Sequence, residues 1–218
     1  MFIVIDGIDG SGKGTQVQKL VEKLQKLWKK VKLLDYPRYW QASAFAVEKY
    51  LNWGYGDSVS AKQSSIFYAL DRYDDSFNFK KDLEEYDYII SNRYVSASMI
   101  HQWGKISDSQ KRDEFLHWLY DLEFNIFSIP KPDKTIFLSV TPDMSQKLVL
   151  EKESRDYIAG KKMDIHEADK DHLKNAWETA QILTDRYDDW YKIECQNSDQ
   201  TMRSINEIHE ELMELIGV

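Results

Sequence analysis

Apolar and polar positions along the chain follow two recurring patterns. Short runs rich in β-branched residues alternate with longer stretches in which apolar residues return every three or four positions. The runs are predicted strands and the stretches are predicted helices, an order that favours a parallel sheet with helices on both faces. The five predicted strands are Phe2–Asp6, 31–34, 88–91, 134–140 and 190–195.

The predicted helices have recognisable first residues. Ser58 or Ser60 precedes a long helix, and Thr141-Pro142 opens another in the order cap, then proline. Residues 154–163 are polar and basic without an apolar period, so they are predicted to form a loop, the mobile lid of a single 218-residue domain. The other predicted helices cover 14–28, 42–51, Val95–Trp103, 114–127, 166–187 and 201–216.

The stretch between the first strand and its helix carries candidate chemistry. Residues 7–15 read Gly-Ile-Asp-Gly-Ser-Gly-Lys-Gly-Thr and contain the G-x-x-x-x-G-K pattern of a phosphate-binding loop. Glycines let successive N–H groups turn toward a phosphate, and the helix N-terminus adds positive charge. The flanking strand and amphipathic helix make a merely solvated turn the less favoured interpretation. The predicted ATP-binding residues are Gly7, Gly10, Ser11, Gly12, Lys13, Gly14 and Thr15.

Composition excludes several other classes of protein. A net charge of −8 argues against wholesale nucleic-acid binding, and no apolar run is long enough to cross a bilayer. Cys195 is the single cysteine, which fits a reducing cytoplasm. Because the first strand begins at Phe2, we expect no signal peptide. No two histidines have metal-ligand spacing, so we expect no metal site beyond Mg²⁺ held mainly by phosphates and water.

Five motifs, in order along nearly the whole chain, resemble those of thymidylate kinases, a family of nucleoside monophosphate kinases. They are residues 7–13, Asp-Tyr-Pro-Arg at 35–38, Tyr-Ala-Leu-Asp-Arg at 68–72, Asn-Arg-Tyr at 92–94 and Lys-Lys-Met-Asp-Ile-His-Glu at 161–167. The resemblance implies a P-loop three-layer fold with a five-stranded parallel sheet and a lid. It further implies a cytoplasmic homodimer that phosphorylates dTMP to dTDP with ATP and Mg²⁺.

The resemblance also implies a role for each matching residue. Lys13 would bridge the β- and γ-phosphates of ATP, and Asp9 would hold the sugar 3′-hydroxyl or a metal-bound water. Arg38 and Arg93 would bind the acceptor phosphate through their guanidinium groups. Tyr68 would lie on the thymine ring, Arg72 would donate to a thymine carbonyl, and Ser98 and Gln102 would face the base edge. Arg155, Lys161 and Lys162 would be the lid cations, and the implied catalytic residues are Lys13, Arg93, Asp9 and Arg155.

Three positions depart from the family pattern. Asn92 replaces an expected aspartate, His101 stands where a tyrosine often lies near the sugar, and Gly10 has no basic side chain. The last departure predicts that the lid supplies the catalytic cation. Tyr68, taken without the resemblance, would be assigned to the core.

Other functions stay open at this point. The nearest alternatives are a kinase of another monophosphate, such as dUMP or UMP/CMP, and a deoxynucleoside kinase. A nucleotide-binding switch is a third, although the chain has no Asn-Lys-x-Asp or Thr-Lys-x-Asp for guanine recognition.

Overall fold

The computed structural model describes residues 1–156 and 170–218. Five strands form one parallel sheet in the order β2-β3-β1-β4-β5, which confirms the predicted architecture. They are β1 (Phe2–Asp6), β2 (Val31–Asp35), β3 (Tyr88–Asn92), β4 (Lys134–Ser139) and β5 (Trp190–Glu194). The α-helices are α1 (Lys13–Lys26), α2 (Phe45–Leu51), α3 (Ala61–Glu85), α4 (Val95–Trp103), α5 (Ser109–Tyr120), α6 (Pro142–Asp156), α7 (Lys170–Arg186) and α8 (Ile205–Leu215).

The central strand β1 is buried on both faces. Phe2 and Val4 point into a core formed with α3, α4, α5 and α7, whereas Ile3 and Ile5 point into a second core formed with α1 and α8. This alternation follows from the two-residue period of a strand. Each fully buried side chain of this size contributes about 1.5–3 kcal/mol relative to exposure, so the two cores hold β1 firmly at the centre of the molecule.

One predicted helix is wrong at both of its ends. The helix predicted at 114–127 begins instead at Ser109, because Asp108 caps it by accepting from the Lys111 N–H at 2.9 Å. It passes into a π-helical turn at Asp121–Ile126, where the Phe127 N–H reaches the Leu122 carbonyl at 2.9 Å. The first turn of α5 is polar and exposed, so an apolar period could not reveal it.

The predicted loop at 154–163 also needs correction. Helix α6 extends to Asp156, because strong helix formers continue it where the apolar period stops. Residues 157–169 lie outside the described part, as does the start of the helix predicted at 166. Helix α8 begins after Ser204 rather than at Thr201, and Ser204 forms a capping box with Glu207. Ser60 makes the same arrangement with Gln63 at the start of α3.

The carboxyl ends of the strands position the candidate residues. The loop at 7–12 follows β1, Arg38 lies three residues after β2, and Arg93 follows β3 directly. Strand β1 lies between β3 and β4, and the order of the strands in the sheet reverses at this position. Ligands of such sheets bind at this topological switch point. Within the described residues, no helix is long and apolar enough to cross a membrane.

Candidate active site

The loop between β1 and α1 is shaped to receive an anion. Gly12 adopts φ 81° immediately before α1, and the first helical bond runs from the Gln16 N–H to the Gly12 carbonyl at 3.1 Å. The N–H groups of residues 13–15 therefore lie at the open end of the helix, where they have no partner within it. The hydroxyl of Ser11 is buried and has no hydrogen-bond partner among the described residues. The loop thus offers several polar groups to a phosphate.

Gly10 is required by its surroundings. Its φ is +79°, and a Cβ at this position would lie 2.5 Å from the carbonyl oxygen of Ser145 in α6. The Ser145 hydroxyl in turn donates to the carbonyl of Asp9. The start of α6 is therefore packed directly on the phosphate loop, and no side chain fits at position 10.

The carboxylate of Asp9 contacts two cationic side chains. Lys13 Nζ lies 3.3 Å from Asp9 Oδ1, and Arg93 Nη2 donates to the same oxygen. Burial acts to raise the pKa of Asp9, but the charges of Arg93 and Lys13 outweigh it and hold that pKa well below its ordinary value. The same burial, together with Arg93, lowers the pKa of Lys13 despite the Asp9 carboxylate.

Arg93 is held by backbone bonds in an uncommon conformation. Its φ is +62°, a region that L-residues rarely adopt and that is found disproportionately at functional sites. Its N–H donates to the Ile5 carbonyl at 3.0 Å, and its own carbonyl accepts from the Ser91 hydroxyl at 2.5 Å. Both bonds aim the arginine across the sheet end toward Asp9.

Asp6 is a buried carboxylate that sequence reasoning missed. It accepts from the Gly7 N–H at 2.8 Å and from the Ser96 hydroxyl at 2.6 Å, and thereby joins the loop to the first turn of α4. Burial raises its pKa in spite of Arg93. A carboxylate in an otherwise apolar strand was the available signal, because a buried charge needs partners.

A cavity opens beside Asp9 and Arg93, on the α3 and α4 side of the loop. Most of the residues predicted to bind dTMP come together around it, and His101 also lines it. His101 Nδ1 lies 3.2 Å from His172 Nε2, with the two rings stacked. The predicted residues that line the cavity are Asp9, Tyr68, Arg72, Arg93, Ser98 and Gln102.

Helix α3 supplies one wall of this cavity with a polar stripe. Ser64, Tyr68 and Arg72 recur at intervals of four, so they lie on one face of the helix. The Ser64 hydroxyl bonds to the Gln102 side chain at 2.7 Å, which links α3 to α4 across the wall. Tyr68 therefore lies at the cavity rather than wholly within the core, where its helix position alone would have placed it.

Arg38 differs from the other residues predicted to bind dTMP. It is not among the residues that line the cavity, and its guanidinium is engaged by acidic groups of α3. Nε lies 3.0 Å from Asp71 Oδ1, Nη1 lies 2.8 Å from Asp75 Oδ1, and Nη2 lies 2.5 Å from Asp74 Oδ2. Burial acts to lower the pKa of Arg38, but these carboxylates raise it. An acceptor phosphate would have to compete with them.

A carboxylate from the neighbouring strand lies beside Asn92, which stands where an aspartate is expected. Its Nδ2 donates to Asp35 Oδ1 at 2.8 Å, so a carboxylate at the end of the neighbouring strand β2 lies beside it. Burial raises the pKa of Asp35, against the bond from Asn92 and the charge of Arg93. The sequence placed Asp35 in a motif without a role of its own, and its contact with Asn92 could be found only from the pairing of β2 with β3.

Glu123 is another buried carboxylate that the sequence analysis did not identify. It is fully buried and forms an ion pair with Arg72. The sequence did contain a signal, because Phe115, Leu119 and Glu123 recur at intervals of four and so place a carboxylate at a core position.

The structure does not describe the side chains of the residues predicted to be lid cations. Lys161 and Lys162 lie outside the described residues, and Arg155 lies near the end of α6 without a described side chain. No cluster of three or more His, Cys, Asp or Glu residues in the described ranges could hold a metal. The oxygen atoms of Asp9, Ser11 and Thr15 at the loop are nonetheless of the kind that Mg²⁺ prefers.

The parallel sheet, the phosphate loop at its switch point and the adjoining cavity define a P-loop nucleotide kinase. The family model that matches the chain is thymidylate kinase, over residues 5–205. The chain is 28% identical over 171 residues to the thymidylate kinase of Mycobacterium tuberculosis, with 78% of each chain covered. It is 32% identical over 155 residues to a probable thymidylate kinase of Thermococcus onnurineus, which covers 68% of this chain and 71% of that one.

A solved structure shows the same fold. Thymidylate kinase from Candida albicans matches with a TM-score of 0.72 at 20% sequence identity, over 99% of this chain and 90% of that chain. The extent of the family match and the identity to these relatives agree with the site. The chain belongs to the thymidylate kinase family, and it is an enzyme.

Proposed function

We propose that the protein transfers the γ-phosphoryl group of ATP to dTMP and releases ADP and dTDP. The observation that carries this proposal is the pair of cations on Asp9. Lys13 belongs to the phosphate loop and Arg93 borders the cavity, so one carboxylate lies between a donor site and an acceptor site. The attacking oxygen of a nucleotide monophosphate is already largely ionised at neutral pH. The reaction therefore needs alignment and charge neutralisation more than a strong base.

The donor nucleotide would bind at the loop. The N–H groups at the start of α1 would bind phosphate oxygens, and Lys13 would exchange Asp9 for the β- and γ-phosphates. Mg²⁺, when bound, neutralises charge on the phosphates, and phosphate oxygens and water would hold most of its coordination sphere. The side chains at the loop that could add an oxygen ligand to Mg²⁺ are those of Asp9, Ser11 and Thr15. The loop residues assigned to ATP are Gly7, Gly10, Ser11, Gly12, Lys13, Gly14 and Thr15.

The acceptor would occupy the cavity. Arg93 would bind its phosphate and Asp9 its 3′-hydroxyl or a metal-bound water, while Arg38 would reach the phosphate after leaving its aspartates. Tyr68 would lie on the base, where stacking is worth about 1–3 kcal/mol. The residues assigned to the base edge are Arg72, Ser98 and Gln102. The roles of Arg155, Lys161 and Lys162 as lid cations remain predictions from sequence.

An apolar stripe supports a homodimer. Ile66, Leu70 and Phe77 of α3 are exposed, and Tyr73 packs between Phe77 and Phe127 at ring distances of 5.1 and 4.6 Å. Ile66, Leu70, Tyr73 and Phe77 share one face of α3, and a large exposed apolar patch favours association. A second copy of the chain is the occupant we propose, in a reducing cytoplasm that fits the single buried thiol of Cys195.

An assay of ADP release tests the function. The enzyme would be incubated with ATP, Mg²⁺ and each of dTMP, dUMP, dCMP, UMP and CMP, and kcat/KM would be compared. We expect the highest value with dTMP, and a loss of about 10²–10³-fold or more in kcat for Lys13→Ala. The proposal would be abandoned if no monophosphate stimulated ADP release, or if a ribonucleotide gave the highest kcat/KM.

A further inference from the structure

Arg72 lies at the wall of the cavity and is held by a second buried charge. The side chain of Arg72 is 2% exposed and that of Glu123 is 0% exposed. Arg72 Nε lies 3.1 Å from Glu123 Oε1 and 3.2 Å from Oε2, and Nη2 donates to Oε1 as well. A carboxylate that meets one edge of a guanidinium in this way fixes the plane of the guanidinium.

The remaining contacts leave Arg72 one donor for a ligand. A guanidinium has five N–H groups. Nε–H and one Nη2–H are directed to Glu123, the other Nη2–H to Ser98 Oγ at 3.1 Å, and one Nη1–H to the Tyr94 carbonyl at 3.3 Å. Among the described residues, the second Nη1–H has no acceptor. Because Arg72 also lines the cavity, it can present this single, oriented N–H to a bound base.

The backbone that carries Glu123 is itself fixed. Glu123 belongs to the π-helical turn Asp121–Ile126, and its carbonyl accepts from the Ile129 N–H at 3.0 Å. Turns of this kind are rare and recur at functional sites. Because both ends of the ion pair are buried and anchored, the direction of the Arg72 N–H depends on Glu123.

We propose that Glu123 is a positioning residue that makes the enzyme select pyrimidines with a carbonyl over those with an amino group at the edge read by Arg72. The base is uncharged, so it gains little from a free positive charge. A neutralised guanidinium with one fixed N–H donor pairs with the C4 carbonyl of thymine. With cytosine, the same N–H would face the C4 amino group, which is also a donor, so no hydrogen bond could form. This inference rests on the proposed function, in which dTMP is the acceptor.

The first test is Glu123→Gln, which keeps the shape of the side chain and removes its charge. Its amide would place donors against the guanidinium, which must then turn. We expect the KM for dTMP to rise about tenfold or more, the KM for ATP to stay unchanged, and the ratio of kcat/KM for dTMP over dCMP to fall. Asp121→Asn is the matched control, because Asp121 is exposed in the same turn and bonds to Asn125. It should retain wild-type values.

A second variant covers the case in which Glu123→Gln does not fold. Glu123→Asp keeps the charge but is one methylene shorter, so it cannot meet Nε and Nη2 in the same position. Thermal unfolding would establish which variants are folded, and the same rise in KM for dTMP alone is expected. Normal KM and normal selectivity in every folded variant would overturn the inference, as would an equal rise in KM for both substrates.

The inference and the proposed function fail in different ways. A wild-type enzyme that does not phosphorylate dTMP would contradict the proposed function. If the wild type is active and Arg72→Ala raises the KM for dTMP while the Glu123 variants do not, the positioning role alone is wrong.

Discussion

Asp9 shows how a single residue can hold a site together before any substrate arrives. Lys13 and Arg93 would repel each other in a partly buried site, and the carboxylate of Asp9 between them offsets this. Substrate phosphates would later take over that neutralisation. The same carboxylate therefore stabilises the free enzyme, and in the proposed function it binds ligand in the complex.

Asp9→Asn should reveal this contribution through its pH dependence. The pKa of Asp9 is depressed in the folded protein, so its stabilising effect is complete above the unfolded pKa of about 3.9 and is lost as pH falls toward the folded pKa. We expect the wild type to exceed Asp9→Asn in free energy of unfolding at neutral pH. Below about pH 4 the difference should shrink by up to about 1.4 kcal/mol per pH unit.

Urea denaturation at a series of pH values, with buffers of equal ionic strength, measures this difference. A gap between the two proteins that stays constant from neutral to strongly acidic pH would show that Asp9 is not held charged by its neighbours.

At this scale the sequence predicted the residues of the loop and of the cavity but not their supports. Lys13 and Arg93 stand in recognisable motifs beside strands. Glu123 and Asp71 act on Arg72 and Arg38 from 51 and 33 positions away, and no local pattern reveals a partner so distant. The aspartates that hold Arg38 lie on α3, so the sequence around Arg38 gave no sign of them.

Between elements, α6 is packed directly on the phosphate loop. Gly10 lies against Ser145, and Val149 lies on the same side. A movement of α6 therefore cannot leave the loop unaffected, and position 10 has a packing role besides its conformational one.

Gly10→Ala should destabilise the protein. The residue would adopt a positive φ, which costs about 1–2 kcal/mol for an L-residue, and its Cβ would meet the Ser145 carbonyl. Gly14→Ala is the matched control, because nothing lies within 4 Å of a Cβ there and the residue is in the first turn of α1. It should be neutral or stabilising by up to about 1 kcal/mol.

Chemical denaturation of the two variants against the wild type measures both effects. Equal stabilities for Gly10→Ala and the wild type would mean that the loop and α6 separate easily.

The elements themselves were mostly predictable. All five strands were found from apolar runs. The start of α6 at Pro142 and the cap of α3 at Ser60, one of the two serines predicted for it, were found from local residue types. Errors occurred where apolar periodicity does not decide the outcome. The polar start of α5 and its π-helical end depend on Asp108 and on the anchoring of Glu123 rather than on periodicity.

For the molecule as a whole, the apolar stripe of α3 should decide the oligomeric state. Leu70 is 44% exposed at the centre of the stripe, so Leu70→Asp would place a charge in the proposed interface. Burying that charge is costly, so we expect a dimeric wild type and a largely monomeric variant in analytical ultracentrifugation. Leu83→Asp is the control, because Leu83 is 37% exposed on a different face of α3.

Two outcomes would contradict this prediction. A monomeric wild type would remove the dimer from the proposal, and a Leu83→Asp variant that dissociates as readily as Leu70→Asp would show that the stripe is not the interface.

The central position of β1 in the sheet has a consequence for folding during translation. This strand is translated before the others, yet its two neighbours are β3 and β4, and β4 begins only at Lys134. The strand that carries the phosphate loop must therefore remain unpaired on one or both edges until the chain has been synthesised through β4. A nascent chain released before β4 would keep the whole Gly-rich motif but should be unable to retain ATP.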